Sequence, residues 1–219
     1  AATPLIALRR ARATILQHRT FIRVDVVNVL IASSILSIYP VIVLIGFGAE
    51  EAGIFAIASR LVFIPVDVLA GSISTVYFHQ FSVAVRRGEG MIRMFVVTFA
   101  WASTTAATIV VIVLLAADPF VRLFFPPEWA QTSNLMLFLL PTFVARFIVV
   151  CLGSTPLALS RPRILLGWNL AQIAIISLTW IATIDQSLEL FLLVGGSGLL
   201  TAGALYVGTL WVLMRKHTG

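Results

Sequence analysis

Three charged residues lie inside long apolar runs of the sequence. Arg60, Asp67 and Arg146 each have apolar residues on both sides. A charge at membrane depth is costly, so such residues usually face a hydrated cavity, another charge or a ligand. Guanidinium groups bind phosphate through forked donors and are always charged. The pattern therefore predicts a site for an anionic head group at the two arginines, with Asp67 able to exchange a proton or a sodium ion.

Each of these residues also has a purely structural interpretation. Arg60 could extend its side chain toward the membrane surface, although ~13 Å of helix rise separates it from the nearest predicted loop. Asp67 and Arg146 could form an ion pair that only stabilises the fold. The sequence leaves these alternatives open.

Other polar residues recur at helical spacing around these charges. Arg60, Asp67 and Ser74 follow one another at intervals of seven residues, which turns only ~20° per step around a helix. Three further runs carry polar sets on one face: Asp25 with Asn28, Thr142 with Arg146, and Asn169 with Gln172, Thr179 and Thr183. Four such helices, packed together, would enclose a hydrated cavity, with Asn28, Asn169 and Gln172 among its polar or ion-coupling residues.

The elements that must hold these residues are membrane helices. Of the 219 residues, 60% are hydrophobic and 11% are charged, whereas soluble domains carry roughly a quarter charged residues. Runs of ~20 apolar residues suit helices that cross a bilayer. They occur at residues 24–47, 53–81, 92–117, 132–159, 164–184 and 190–214. The predicted fold is an all-α integral membrane bundle of six transmembrane helices.

The charges between these spans alternate by side. One set of segments carries twelve cations: Arg9, Arg10, Arg12, Arg19, Arg23, Arg86, Arg87, Arg93, Arg161, Arg163, Arg215 and Lys216. The opposite loops carry Glu50, Glu51, Asp118, Glu128, Asp185 and Glu189, with Arg122 as their only cation. By the positive-inside rule both chain ends are predicted to be cytoplasmic. The net charge of +6 is explained by this orientation, so no nucleic-acid partner is predicted.

Proline and glycine mark places where the predicted helices bend or pack closely. Pro40, Pro65 and Pro141 fall inside the first, second and fourth spans, where each would kink its helix. The sixth span is rich in small residues, including Gly196, Gly203 and Gly208. Small residues let membrane helices approach closely, so this span is predicted to pack tightly against a neighbour.

Enzyme and metal chemistry find no support in the sequence. It has none of the usual nucleophile, zinc or phosphate-loop motifs, and Cys151 is its single cysteine. No catalytic residue, metal site or cofactor is predicted.

Four stretches carry a resemblance to a known family. They are HRTF at 18–21, the segment from Pro40 through FGAEEAGIFAIASRLVFIP to Pro65, EWA at 128–130 with Pro141 beyond it, and SRPR at 160–163. The chain resembles the C-terminal half of bacterial flippases that export lipid-linked polysaccharide repeat units, which are relatives of the multidrug and toxin extrusion carriers. Arg60 matches the arginine of the family's motif.

The resemblance implies transport of an undecaprenyl-diphosphate-linked oligosaccharide across the inner membrane by alternating access. It also implies two lobes around a central cavity, of which residues 24–219 would be one and residues 1–23 a basic cytoplasmic linker. The expected partners are the lipid-linked oligosaccharide, membrane lipids, and a missing N-terminal lobe or a second copy. The absence of an initiating Met fits this expectation of a fragment.

Three other functions remain as alternatives. One is a multidrug or lipid II exporter of the same superfamily, the second a membrane-embedded glycan polymerase or ligase, and the third a non-transporting assembly partner. A polymerase or ligase normally needs a large outer loop, and the longest one predicted here, residues 118–131, has ordinary length. A carrier of cationic drugs should have acids rather than arginines in its cavity.

Overall fold

The structure contains helices and turns. It is a computed structural model that describes residues 19–183 and 186–218, with side chains from Val26 onward except those of Leu36, His217 and Thr218. Within these ranges no strand occurs. The helices are α1 (Arg19–Phe47), α2 (Ala49–Arg87), α3 (Met91–Phe124), α4 (Gln131–Phe138), α5 (Leu140–Leu152), α6 (Thr155–Ala158), α7 (Pro162–Thr183) and α8 (Leu188–Thr218), and a 3-10 turn covers Pro127–Trp129.

Six segments are long and apolar enough to cross a membrane. They are Val26–Phe47, Ala49–Arg87, Met91–Phe124, Leu140–Ala158, Pro162–Thr183 and Leu188–Lys216. Each corresponds to one of the six predicted spans, so the prediction of an all-α membrane bundle is confirmed. The chain is a multi-pass membrane protein. The predicted linker at residues 1–23 falls outside the described residues up to position 18, and residues 19–23 are helical.

The third helix is longer than predicted. It was expected to end at residue 117, before a loop from Asp118, but α3 continues to Phe124. Inside it the Arg122 Nε donates to Asp118 Oδ1 at 2.9 Å, and this pairing over four residues is a favourable one on a helix. Because Asp118 and Arg122 pair with each other along the helix, their charges do not require α3 to end at Asp118. Pro119 is accommodated inside the helix as well.

The fourth span is not one helix, as predicted for residues 132–159. It is divided into α4, α5 and α6, with breaks around Leu139 and around Gly153 and Ser154. Pro141 lies in the first turn of α5 rather than in a helix interior. Proline has no N–H for the preceding turn, so it favours a new helix start here. Pro40 and Pro65, in contrast, lie inside α1 and α2 as predicted.

Helix α5 is the centre of the bundle and packs against α2, α3 and α8, while α1 packs against α2 and α7. The contact between α5 and α8 is close. A Cβ on Gly196 would lie 2.9 Å from Thr142 Oγ1 and 3.0 Å from the Pro141 Cβ. This confirms the predicted packing role of small residues in the sixth span, although a Cβ on Gly208 would meet nothing within 4 Å.

One end of the bundle collects the cationic segments. A buried cluster joins Phe81 near the end of α2, Met91 at the start of α3, Leu159 before α7 and Met214 near the end of α8. The basic residues beside these positions are Arg86, Arg87, Arg93, Arg161, Arg163, Arg215 and Lys216. The sorting of cations onto one end, expected from the sequence, is thus present for these residues. Arg9, Arg10, Arg12 and the acidic Asp185 lie outside the described residues, and the side chains of Arg19, Arg23 and Asp25 are also outside the description.

Candidate functional site

A cavity of about 200 Å³ lies among α1, α2, α5 and α7. Arg60, Asp67 and Arg146 all line it, together with Gln172 and a largely apolar remainder. The three charged residues that the sequence singled out are therefore brought together in one place. Arg60 and Asp67 lie on one face of α2 because they are seven residues apart, and Arg146 reaches the same space from α5.

Arg146 and Asp67 form a salt bridge with paired hydrogen bonds. Arg146 Nη2 donates to Asp67 Oδ1 at 3.0 Å and to Oδ2 at 3.1 Å, and Arg146 Nε donates to Oδ1 at 3.1 Å. The Phe63 ring centroid lies 5.8 Å from the Arg146 Cζ, within range of a cation–π contact. The side chains are 26% exposed for Arg146 and 46% exposed for Asp67. The pair is therefore partly open to its surroundings.

Arg60 has no ion-pair partner among the described residues, and its side chain is exposed. The cavity consequently holds two guanidinium groups and one carboxylate. Because the single acid is already shared with Arg146, the positive charge of Arg60 is not compensated by the described part of the chain. An anion entering this space would meet an excess of positive charge.

A second cavity, of about 550 Å³, lies next to the first. Ile35, Arg146, Trp168 and Gln172 line both cavities. The polar residues that line the second one are Asn28, Ser33, Ser74, Arg146, Ser154, Asn169 and Gln172. The break between α5 and α6 lies at its wall, with Gly153 and Ser154. Arg146 thus stands at the boundary between a charged cavity and one that is polar and mostly neutral.

Two of the predicted polar residues connect α1 with α7. Asn28 is 2% exposed and Asn169 is 4% exposed. The Asn169 Nδ2 donates to the Asn28 backbone O at 3.3 Å and to its Oδ1 at 3.4 Å, and the Asn28 Nδ2 donates to the Pro162 O at 3.3 Å. Gln172 Nε2 makes a long contact of 3.5 Å to Asn169 Oδ1. The two asparagines border the second cavity, but their side-chain amides mainly form hydrogen bonds between α1 and α7.

Not every residue of the predicted polar stripes faces these cavities. Thr179 and Thr183 are buried and line neither of the two, and Thr183 Oγ1 donates to the Thr179 backbone O at 2.8 Å. Neither threonine belongs to the lining of these two cavities. Thr142 does line the first cavity, where its hydroxyl and that of Tyr39 face each other without a hydrogen bond of standard geometry.

Several lining residues were missed from the sequence. Phe63 could have been found, because it lies three residues after Arg60 and four before Asp67 and so shares their helix face. Ser154 was missed because residues 132–159 were predicted as one helix, whereas a break at Gly153 and Ser154, just before Pro156, places it at the wall. Trp168 was also missed, because an aromatic residue in an apolar run has no distinctive pattern.

Within the described residues, no group of three or more His, Cys, Asp or Glu side chains is placed to hold a metal ion. The arrangement is instead suited to binding an anion by guanidinium groups and a polar neutral group by amides and hydroxyls.

The fold and the site together define a multi-pass membrane protein with a cationic cavity between its helices. A protein-family model described as polysaccharide biosynthesis protein matches residues 12–134, which is more than half of the chain. The chain belongs to this polysaccharide biosynthesis protein family and takes part in polysaccharide biosynthesis or transport. The matched residues include Arg60 and Asp67, while Arg146 lies beyond them. Neither the curated proteins nor the solved structures contain a match.

Proposed function

We propose that the chain is part of a flippase that moves undecaprenyl-diphosphate-linked oligosaccharides from the inner to the outer leaflet of the cell's inner membrane. The observation that carries this proposal is the charge of the first cavity, where Arg60 and Arg146 face a single acid, Asp67. In a family concerned with polysaccharide biosynthesis, the anion expected at such a depth is the diphosphate that links a growing glycan to its lipid.

The diphosphate fits the cavity for electrostatic and geometric reasons. Retaining two arginines inside the membrane is costly, and a bound diphosphate would supply the negative charge that the cavity lacks. Charge-assisted hydrogen bonds from arginine to phosphate are short and strong. Arg146 keeps one nitrogen, Nη1, without a hydrogen bond to the described residues, and Arg60 is entirely available. The same excess of positive charge would repel a cationic drug.

Transport by alternating access requires a second structural unit. Arg60 and Asp67 are exposed in the six-span bundle, although polar groups at membrane depth need protein or water around them. We expect a second lobe or a second copy to cover them and to rock against this one, as in other two-lobed carriers. Asp67 would couple transport to a proton or sodium gradient. The chain then acts as a carrier rather than an enzyme, with its cationic end and both termini in the cytoplasm.

Reconstitution in liposomes tests this proposal. A fluorescent undecaprenyl-diphosphate oligosaccharide is placed in both leaflets, and an impermeant quencher reports its movement. The 219-residue chain alone should bind the lipid but move it slowly, because the proposed mechanism needs a second lobe or a second copy to complete the cavity. Joined to a second lobe, or as a dimer, it should flip the lipid, and Arg60→Ala should abolish the gain. Fast flipping of a cationic drug analogue, with no movement of the lipid diphosphate, would contradict the proposal.

A further inference from the structure

The second cavity carries polar groups whose hydrogen-bonding capacity is unused. Ser74 on α2 makes no hydrogen bond through its hydroxyl to any described residue. The Ser154 Oγ, at the break between α5 and α6, is buried and has no partner among the described residues. Gln172 on α7 makes only the 3.5 Å contact to Asn169. Three separate elements thus direct incompletely bonded polar groups to one space.

The chemistry of this wall selects for a neutral ligand. Among the side chains that the structure describes, no carboxylate lines the second cavity, and Arg146 at its boundary is the one charged residue of the lining. Hydroxyl and amide groups both donate and accept hydrogen bonds, which matches ligands that are rich in hydroxyl or acetamido groups. The volume of about 550 Å³ lies within the ~300–1,000 Å³ of typical ligand sites. Trp168, which lines the cavity, adds the aromatic surface common in such sites.

We propose that the second cavity binds the first sugar of the lipid-linked substrate, and that this sugar is uncharged. This inference rests on the proposed function, in which the diphosphate occupies the first cavity. In such a lipid the first sugar is bonded directly to the diphosphate, so the two groups must occupy adjacent spaces. Arg146, which lines both cavities, is placed to hold the phosphate nearer to the sugar, while Gln172 and Ser74 bind the sugar's polar groups.

The test compares two probes on the purified 219-residue chain in nanodiscs. One probe is undecaprenyl diphosphate without a sugar, and the other carries a single neutral N-acetylhexosamine. Ser74→Ala and Gln172→Leu should each weaken binding of the sugar-bearing probe ~2- to 10-fold, the loss expected for one neutral hydrogen bond. Of these two residues only Gln172 also lines the first cavity, so Ser74→Ala is the variant that should leave the affinity for the sugar-free probe within about twofold of the wild type.

A matched control is available on the same helix. Ser72 on α2 is exposed, donates its hydroxyl to the Val68 backbone O at 2.9 Å, and does not line the second cavity. Ser72→Ala should bind both probes as the wild type does. If Gln172→Leu lowers the melting temperature and weakens both probes equally, its role is structural, and Ser74→Ala then decides the question.

Two outcomes would contradict binding of the sugar in the second cavity, and only one of them would also contradict the proposed function. If the wild type binds both probes but neither Ser74→Ala nor Gln172→Leu alters the preference between them, the sugar is not bound in this cavity, and the proposed function is unaffected. If the wild type binds neither probe, the proposed function itself is wrong, and the assignment of the second cavity is lost with it.

Discussion

Separating the Asp67–Arg146 pair is the perturbation that most directly distinguishes folding from binding at this site. Asp67→Asn removes the carboxylate charge, Arg146→Gln removes the guanidinium, and the double variant removes both. Because Arg146 makes three hydrogen-bond contacts with one carboxylate, the two residues should be energetically coupled. A double-mutant cycle measures that coupling free from the other effects of each substitution.

The expected size follows from the exposure of the pair. Fully exposed ion pairs contribute ~0.2–1 kcal/mol, whereas breaking a buried pair costs ~3–5 kcal/mol. With the two side chains 26% and 46% exposed, we expect a coupling energy of about 2 kcal/mol, between these limits. For a chain of this size that corresponds to a fall of roughly 4–8 °C in the melting temperature of each single variant.

The assay is thermal unfolding in detergent, followed by tryptophan fluorescence. The Asp118–Arg122 pair is a matched control, since it has an Asp–Arg contact of 2.9 Å but side chains that are 58% and 75% exposed. Asp118→Asn should change stability by only ~0.3–0.5 kcal/mol. If the effects of Asp67→Asn and Arg146→Gln simply add, within ~0.5 kcal/mol, the two residues are not energetically coupled, contrary to what their hydrogen-bond geometry predicts.

Three further predictions concern the fold and its orientation. Gly196→Val should destabilise the chain by ~1–3 kcal/mol, because its side chain would enter α5, whereas Gly208→Val should leave the melting temperature unchanged; equal effects would contradict the packing described. Asn169→Leu should cost ~1–3 kcal/mol, as thermal unfolding would show, because the buried Asn28 Oδ1 would lose the Asn169 Nδ2 donor. Single cysteines at Glu50 and Gly88 should react with an impermeant reagent from the outside and the inside respectively, and the reverse result would overturn the proposed orientation.

The membrane spans could be predicted from the sequence, but the breaks within them could not. Apolar length is sufficient to identify a helix that crosses the bilayer, because the backbone there has no alternative partners. The interruptions near Leu139 and Gly153 precede prolines in the first turns of α5 and α6. Proline alone does not predict them, because Pro40 and Pro65 lie inside unbroken helices. Likewise α3 continues past Asp118 to Phe124, with Asp118 and Arg122 paired on its surface, whereas the charges of these residues had suggested a loop.

The candidate site was predicted in composition but not in arrangement. Helical spacing correctly grouped Arg60 with Asp67, since residues on one helix share a face. Whether Arg146 would meet Asp67 depends on the rotation of α5 relative to α2, which periodicity does not give. For the same reason the sequence could not show that Asn28 and Asn169 bond mainly to each other's helices. In the sequence, a polar stripe that faces a cavity has the same spacing as one that faces a neighbouring helix.

In the proposed function, Arg60, which has no ion-pair partner among the described residues, binds the lipid diphosphate in the first cavity. The most direct measurement is the affinity of undecaprenyl diphosphate for the wild type, Arg60→Ala and Arg60→Lys in nanodiscs, with Arg86→Ala, an exposed arginine of the same helix, as control. We expect Arg60→Ala to lose at least ~10-fold in affinity, consistent with the loss of a charged hydrogen bond, with an unchanged melting temperature. Arg60→Lys should recover only part of it, because lysine lacks the forked donors. An Arg60→Ala variant that binds the lipid as tightly as the Arg86→Ala control would show that Arg60 does not bind the diphosphate.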